Sequence, residues 1–218
     1  MENGLLSKKK LLFFFLPFLA IVSYDIIGNG ITEALFFVLD LLRIPFDWVN
    51  NNPAFLDAFL ATCLSVIFYI FYRKVFPVKK AETKISLWKG LLFSVIIGFG
   101  AGGLSTIWLN FVDFLATMSS SLGEQAEAFS GMYDDLESGS YIWTFLAIVA
   151  IGPLVEEILF RGVVFRSFEE ATDIPWFPLL LSGVMFGIWH GNFIQAVYTA
   201  MMGIILGYYM KKTRRLFY

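Results

Sequence analysis

Two adjacent carboxylates and an arginine interrupt an apolar stretch in the last third of the chain. The segment is Gly152–Gly162, and it contains Glu156, Glu157 and Arg161. Glu157 and Arg161 are four residues apart, with the glutamate first, so on a helix they share a face in the order that favours an ion pair. Glu156 lies about 100° further round the helix. The spacing therefore predicts that Arg161 holds Glu157, whereas Glu156 is available as a general base.

The single histidine of the chain, His190, follows about thirty residues later on the next apolar span. Phe186 precedes it by four residues, so on a helix its ring packs against the imidazole and fixes the orientation of that ring. Consecutive helices with short connections are usually neighbours. If both spans face the interior, Glu156 and His190 can hold one water between them. This arrangement suits hydrolysis, in which the carboxylate takes the water proton and the imidazole orients the water or protonates the leaving amine.

Two structural interpretations stand beside this one. Glu156, Glu157 and Arg161 can simply mark the boundary between membrane and water, with Arg161 and Arg166 extending their charged ends into the cytoplasm. His190 can be a core or interfacial residue, which is the commoner place for a lone histidine.

The elements that must position these residues are membrane helices. The chain is 58% hydrophobic and 16% charged, with a mean hydropathy of +0.71, whereas soluble domains are about 45–50% apolar and a quarter charged. Crossing a bilayer takes roughly 20 apolar residues, and backbone groups in lipid must be satisfied within a helix. We therefore expect an all-α polytopic helical membrane bundle with about six transmembrane helices, forming a single domain over residues 1–218. The predicted spans are 11–27, 54–76, 87–118, 141–165, 176–190 and 194–210.

Smaller features refine this expectation. The apolar piece 31–44 is too short to cross, so it is an interfacial helix or an extension of the first crossing. The basic N-terminus and the run after it indicate an uncleaved anchor rather than a signal peptide. Glycines spaced by four predict close helix packing; these are Gly98 and Gly102, Gly183, Gly187 and Gly191, and Gly203 and Gly207.

The basic residues predict the topology. With the N-terminus in the cytoplasm and six crossings, every Lys and Arg except Arg43 falls on the cytoplasmic side, as the positive-inside rule requires. The loop 119–140 carries acidic residues but no Lys or Arg, as an external loop can. We expect both termini of this chain to be cytoplasmic.

Metal and disulfide chemistry are not expected. Cys63 is the only cysteine and His190 the only histidine, so intrachain disulfides, thiolate clusters and an H-E-x-x-H zinc site are excluded. No metal and no cofactor is predicted.

The two motifs together resemble the CAAX protease and bacteriocin-processing family. They are E-E-x-x-x-R at Glu156–Arg161 and F-x-x-x-H at Phe186–His190, and the stretch Gly203–Tyr208 is similar to the family's next helix. Eukaryotic members are type II CAAX prenyl endopeptidases, and many bacterial members are named abortive-infection or bacteriocin-immunity proteins. The resemblance covers residues 142–218, the family-like catalytic core.

This resemblance implies an intramembrane, glutamate-dependent endopeptidase that hydrolyses a peptide or protein substrate at the cell membrane of a bacterium. Glu156 would activate the attacking water, assisted by His190, with Glu157, Arg161 and Phe186 in supporting roles. The family's later H-x-x-x-N motif is absent, so this chain is expected to lack the family's C-terminal helices or to have impaired activity. Asn192 is a candidate substitute, but its place after a glycine favours a helix cap.

Two other functional classes remain as alternatives. One is a non-catalytic bacteriocin self-immunity or scaffold protein that binds a peptide or partner. The other is a small transporter in which Glu156 and His190 relay protons, although the sequence has neither an inverted repeat nor paired broken helices. The expected partners are the lipid bilayer and a peptide or protein, with no nucleic acid. Oligomeric state is left open.

Overall fold

The computed structural model describes residues 8–77, 79–80, 85–137 and 139–216, apart from the side chains of 133–137, and every regular element there is a helix. Lys84, one of the basic residues that predict the topology, lies outside the described residues, as do residues 217–218 of the family-like core. The helices are α1 (Lys8–Leu41), α2 (Asp47–Asn50), α3 (Pro53–Val75), α4 (Leu87–Ala116), α5 (Ser120–Glu137), α6 (Tyr141–Ala171), α7 (Phe177–Trp189) and α8 (Phe193–Thr213).

Five of these helices are long and apolar enough to cross a membrane, namely α1, α3, α4, α6 and α8. This confirms the polytopic helical fold. The predicted span 176–190 forms α7, whose 13 residues are fewer than the roughly 20 that a full crossing needs. The piece 31–44 continues α1 as far as Leu41, so of the two interpretations the extension of the first crossing is the one observed.

The acidic segment between α4 and α6 is a helix rather than an open loop. α5 contains 18 residues, of which eight are alanine, glutamate, leucine or glutamine, which favour helices.

The chain divides into two compact units. The first consists of residues 1–77 and 132–171 and contains α1, α3 and α6. Phe14 and Phe18 of α1 contact Phe168 of α6, with ring centroids 6.1 and 6.4 Å apart. All residues of α6 from Ile158 to Phe168 are buried, so neighbouring helices cover this part of α6 on every side.

The second unit consists of residues 78–131 and 172–218 and contains α4, α7 and α8. Here α7 and α8 pack through Gly183, Gly187 and Gly203, as the spacing predicted, whereas Gly191 of the same series has open space and does not pack closely. A Cβ atom on Gly187 would overlap the carbonyl oxygen of Ala196, and one on Gly203 would lie 2.7 Å from the Cα of Gly183. Gly98 and Gly102 of α4 have open space instead, so the predicted close packing does not occur there.

Candidate active site

The helix that carries the carboxylates changes its winding before them and again between Glu156 and Glu157. α6 has wider, π-type turns over Phe145–Ile151 and Glu157–Val164, with ordinary α-helix from Gly152 to Glu156 between them. A Cβ atom at Gly152 would overlap the carbonyl oxygen of Ala147, so glycine is required there. Pro153 has no backbone N–H to donate to the preceding turn. π-type turns occur frequently at functional sites.

Glu157 and Arg161 form the ion pair that their spacing predicted. The Arg161 Nη1 and Glu157 Oε1 atoms are 3.2 Å apart, and the two side chains are 2% and 26% exposed. A desolvated guanidinium requires such a compensating charge. The pair therefore commits the Glu157 carboxylate to Arg161.

The second arginine is also buried rather than extended toward water. Arg166 is 2% exposed and its Nη2 atom donates to the carbonyl of Pro77 at 2.9 Å. Ion pairs with Glu169 and Glu170 of the same helix, at 3.6 and 3.8 Å, complete its surroundings. The interpretation of Arg161 and Arg166 as charges reaching into the cytoplasm is therefore wrong.

The register of α3 against α6 identifies the neighbours of Glu156. Near one end, the Ser140 N–H donates to Asn52 Oδ1, a pair 88 residues apart in sequence. Near the other end, Arg166 and Pro77 are paired at an offset of 89. Interpolation between these two offsets, 88 and 89, puts Glu156 at about the level of Ile67 and Phe68.

Phe68 brings a residue of α1 into this neighbourhood. It is buried, and its ring centroid is 5.9 Å from that of Tyr24. Tyr24 in turn interacts electrostatically with the Glu156 carboxylate, which is itself half-buried. The candidate base is therefore surrounded by groups from three helices, α1, α3 and α6.

Sequence reasoning missed both Tyr24 and a nearby serine. Ser65 lies one turn before Phe68, is 7% exposed, and its hydroxyl has no hydrogen-bond partner among the described residues. The available signal was the presence of polar side chains inside apolar spans, which are costly there and tend to be functional.

Residues of the last turn of α7 fix the orientation of the His190 ring. Its Nδ1 atom is 2.8 Å from the Phe186 carbonyl oxygen, and its ring centroid is 4.8 Å from that of Phe186 and 5.4 Å from that of Trp189, both edge-on. A carbonyl oxygen only accepts, so Nδ1 carries the hydrogen and donates it. This assigns Nε2 as the ring nitrogen that accepts or transfers a proton.

The chain turns sharply directly after His190. Gly191 has a φ of +71°, a conformation that glycine adopts without strain. Asn192 then caps α8, its side-chain oxygen accepting from the N–H groups of Ile194 at 2.8 Å and Gln195 at 3.4 Å. The prediction that Asn192 is a helix cap is confirmed.

The predicted site residues thus form two groups. Glu156, Glu157 and Arg161 lie in the first unit, whereas Phe186 and His190 lie in the second. That Glu156 and His190 share a water stays a prediction, as do the catalytic roles of all five residues. Among the described residues, no three His, Cys, Asp or Glu side chains gather where they could hold a metal ion.

Comparison with known proteins matches the part of the chain that contains both groups. Residues 138–218 match the family model described as type II CAAX prenyl endopeptidase Rce1-like. This segment is similar to that family, and we call it the Rce1-like segment. The resemblance to the CAAX protease family is confirmed for the Rce1-like segment, which includes every predicted site residue.

A curated relative extends the similarity. The chain is 27% identical over 125 residues to the protein named "Putative membrane peptidase YdiL" of Bacillus subtilis (strain 168), which covers 52% of this chain and 50% of that protein. The chain thus spans about half the length of this relative. No solved structure matches the chain at a significant level. At the family level the Rce1-like segment is related to membrane peptidases, and the five apolar helices make the chain a multi-pass membrane protein.

Proposed function

We propose that the chain is an intramembrane endopeptidase that hydrolyses a peptide bond of a peptide or protein substrate, with Glu156 as the general base and His190 as its assistant. The observation that carries this proposal is the unequal environment of two adjacent carboxylates. Glu157 is committed to Arg161, at 3.2 Å, while Glu156 lies at the change of winding in α6, in a segment that matches a peptidase family.

The residues support a balanced hydrolysis. Glu156 removes a proton from water, and the hydroxide oxygen bonds to the substrate carbonyl carbon. The proton on Glu156 then passes to the amide nitrogen as the carbon–nitrogen bond breaks, which leaves a carboxylic acid and an amine. His190 orients the water through Nε2, because Nδ1 is occupied by the Phe186 carbonyl.

The location belongs to the same proposal. We place the chain in a bacterial cytoplasmic membrane with both termini in the cytoplasm, because every Lys and Arg except Arg43 falls on that side of the predicted topology, as the positive-inside rule requires. Glu156 lies in the half of the predicted span 141–165 that is nearer the cytoplasmic end in this topology, so cleavage would occur near the cytoplasmic side.

Reporter-peptide cleavage by the purified full chain tests this proposal. Glu156→Gln removes the base at nearly constant volume and should lower kcat/KM about 10²–10⁴-fold. His190→Ala should lower it too, and the double variant should lose little more than the worse single variant, because residues that act as a unit are not additive. Glu124→Gln, at an exposed position of α5, is the matched control.

Undiminished cleavage by both Glu156→Gln and His190→Ala would overturn the assignment. If the wild-type chain binds a peptide without cleaving it, and the Glu156→Gln variant binds the same peptide equally well, the immunity or scaffold alternative is favoured instead.

A further inference from the structure

A groove in the second unit has a charged end and an apolar interior. It lies between α4 and α8, with a volume of about 530 Å³, and its lining includes Lys89, Phe93, Ile97, Tyr208 and Lys212. None of these residues takes part in the proposed hydrolysis. The groove is therefore a separate feature of the molecule.

Both lysines lie at the same end of the groove. Lys89 is in the first turn of α4 and Lys212 is in the last turn of α8. The Nζ atom of Lys212 is 5.7 Å from the centroid of the Tyr208 ring, which also contributes to the wall. Two ammonium groups at one mouth of a cavity form a site for an anionic group.

The wall behind the lysines is apolar. Lys89, Phe93 and Ile97 follow one another at intervals of four residues, so they lie on one face of α4. Phe93 and Ile97 are therefore roughly 6 and 12 Å further along the helix axis than Lys89. Because α4 is one of the helices able to cross a membrane, this face runs from the membrane boundary toward the lipid interior.

An exposed tryptophan marks the level of the headgroups. Trp88, beside Lys89, is 80% exposed, and tryptophan is enriched where a membrane helix meets the interface. A ligand that fits must therefore combine a negative group at the interface with an apolar chain that enters the bilayer. An anionic phospholipid has both parts.

We propose that this groove binds an anionic phospholipid, with the phosphate between Lys89 and Lys212 and one acyl chain along Phe93 and Ile97. Basic pockets between membrane helices are a known way of recognising lipid headgroups. The proposal is independent of the hydrolytic activity, since none of the groove residues belongs to the motifs Glu156–Arg161 and Phe186–His190.

Native mass spectrometry of the full chain, released from nanodiscs of phosphatidylglycerol and phosphatidylcholine with identical acyl chains, tests this site. We expect retention of phosphatidylglycerol over phosphatidylcholine. Lys89→Gln/Lys212→Gln should weaken retention about 25-fold, at about fivefold for each lysine near an anionic surface. Arg73→Gln/Lys74→Gln, at the end of α3, removes the same charge outside the groove and should leave retention unchanged.

A second variant tests the apolar part. Ile97→Trp keeps both lysines but fills the inner wall, so it too should reduce phosphatidylglycerol retention, and thermal unfolding of each variant in phosphatidylcholine verifies that it is folded. Equal retention of the two lipids, or unchanged retention by the double lysine variant, would overturn the proposal. Displacement of the lipid by millimolar inorganic phosphate would also overturn it, by showing a site for free anions.

Discussion

At the scale of single residues, identical side chains at adjacent positions have different tasks because helical geometry gives them different neighbours. Glu157 meets Arg161 one turn later, within a buried part of α6. Glu156 faces a neighbourhood shared with Tyr24 and Phe68. The first is expected to support the structure and the second the chemistry, and two substitutions separate these contributions.

Glu157→Gln should destabilise the protein more than it impairs the reaction itself. The change leaves the guanidinium of Arg161, which is 2% exposed, without its charge partner. Since Glu157 is 26% exposed, water offsets part of the loss, and we expect a cost of about 1–3 kcal/mol. Thermal unfolding in detergent measures it, with Glu156→Gln as the comparison. Equal unfolding temperatures for the two variants would contradict this division.

Tyr24→Phe should slow cleavage without weakening substrate binding. The variant keeps the ring that contacts Phe68 but removes the hydroxyl group, which interacts electrostatically with the Glu156 carboxylate. Because Glu156 is the proposed base, the loss of this electrostatic partner should lower kcat about tenfold, which corresponds to about 1.4 kcal/mol in the barrier, with KM unchanged. Tyr141→Phe, at a position 82% exposed, is the matched control. A change in KM with an unchanged kcat would contradict this prediction and would indicate that Tyr24 only supports the structure of the site.

The sequence predicted the contacts made within one helix but not those made between helices. The pairing of Glu157 with Arg161 and the packing of Phe186 on His190 follow from a spacing of four. Tyr24 comes from a helix more than a hundred residues away in sequence, so no local pattern indicates it. The hydrogen bond of His190 to the Phe186 carbonyl was also beyond prediction, because a side-chain rotamer determines it.

At the scale of helices, small residues determine which helices approach closely. The contact between α7 and α8 is so tight that Gly183, Gly187 and Gly203 have no room for a Cβ atom. The same spacing in α4 places Gly98 and Gly102 in open space. A spacing of four therefore indicates that close packing is possible, whereas the partner helix decides whether it occurs.

Gly187→Ala should lower the free energy of unfolding, whereas Gly98→Ala should not. In Gly187→Ala the added methyl group overlaps the Ala196 carbonyl oxygen, so α7 and α8 must move apart, at a cost of about 1–3 kcal/mol. In Gly98→Ala the methyl group meets nothing within 4 Å, and alanine is the better helix former, so stability should be unchanged or slightly higher. Thermal unfolding of both variants in the same detergent gives the comparison, and an equal effect of the two would refute it.

The winding of α6 was not predicted, for a physical reason. Hydropathy predicts that the segment 141–165 is helical and buried, but apolar side chains have the same hydropathy in α and π turns. The pair Gly152-Pro153 was the available signal. Proline has no backbone N–H to donate to the helix, and Gly152 permits the carbonyl oxygen of Ala147 to approach closely. The sequence therefore suggests a change of winding near this pair, but only the structure shows where the π-type turns lie relative to the carboxylates.

At the scale of the whole molecule, composition predicts the fold class, whereas the packing of particular helix pairs determines how the chain divides into two compact units. A hydrophobic content of 58% suffices to predict a bundle of membrane helices, since only helices satisfy their backbone in lipid without forming a barrel. The division into two compact units depends on which helix pairs interlock. α1, α3 and α6 contribute the carboxylate group of residues, and α4, α7 and α8 contribute the histidine group and the lipid groove.

The distribution of Lys and Arg along the entire chain predicts how the helices are oriented in the membrane. Lysines flank the connection between α3 and α4, whereas α5 and its flanks lack Lys and Arg, so the first is expected in the cytoplasm and the second outside. In a Cys63→Ser background, Glu127→Cys should react with a membrane-impermeant maleimide on intact cells, and Lys80→Cys only after permeabilisation. Labelling in the reverse order would invert the topology. It would also move the proposed cleavage to the opposite face of the membrane, because α6 would then carry Glu156 toward the outside.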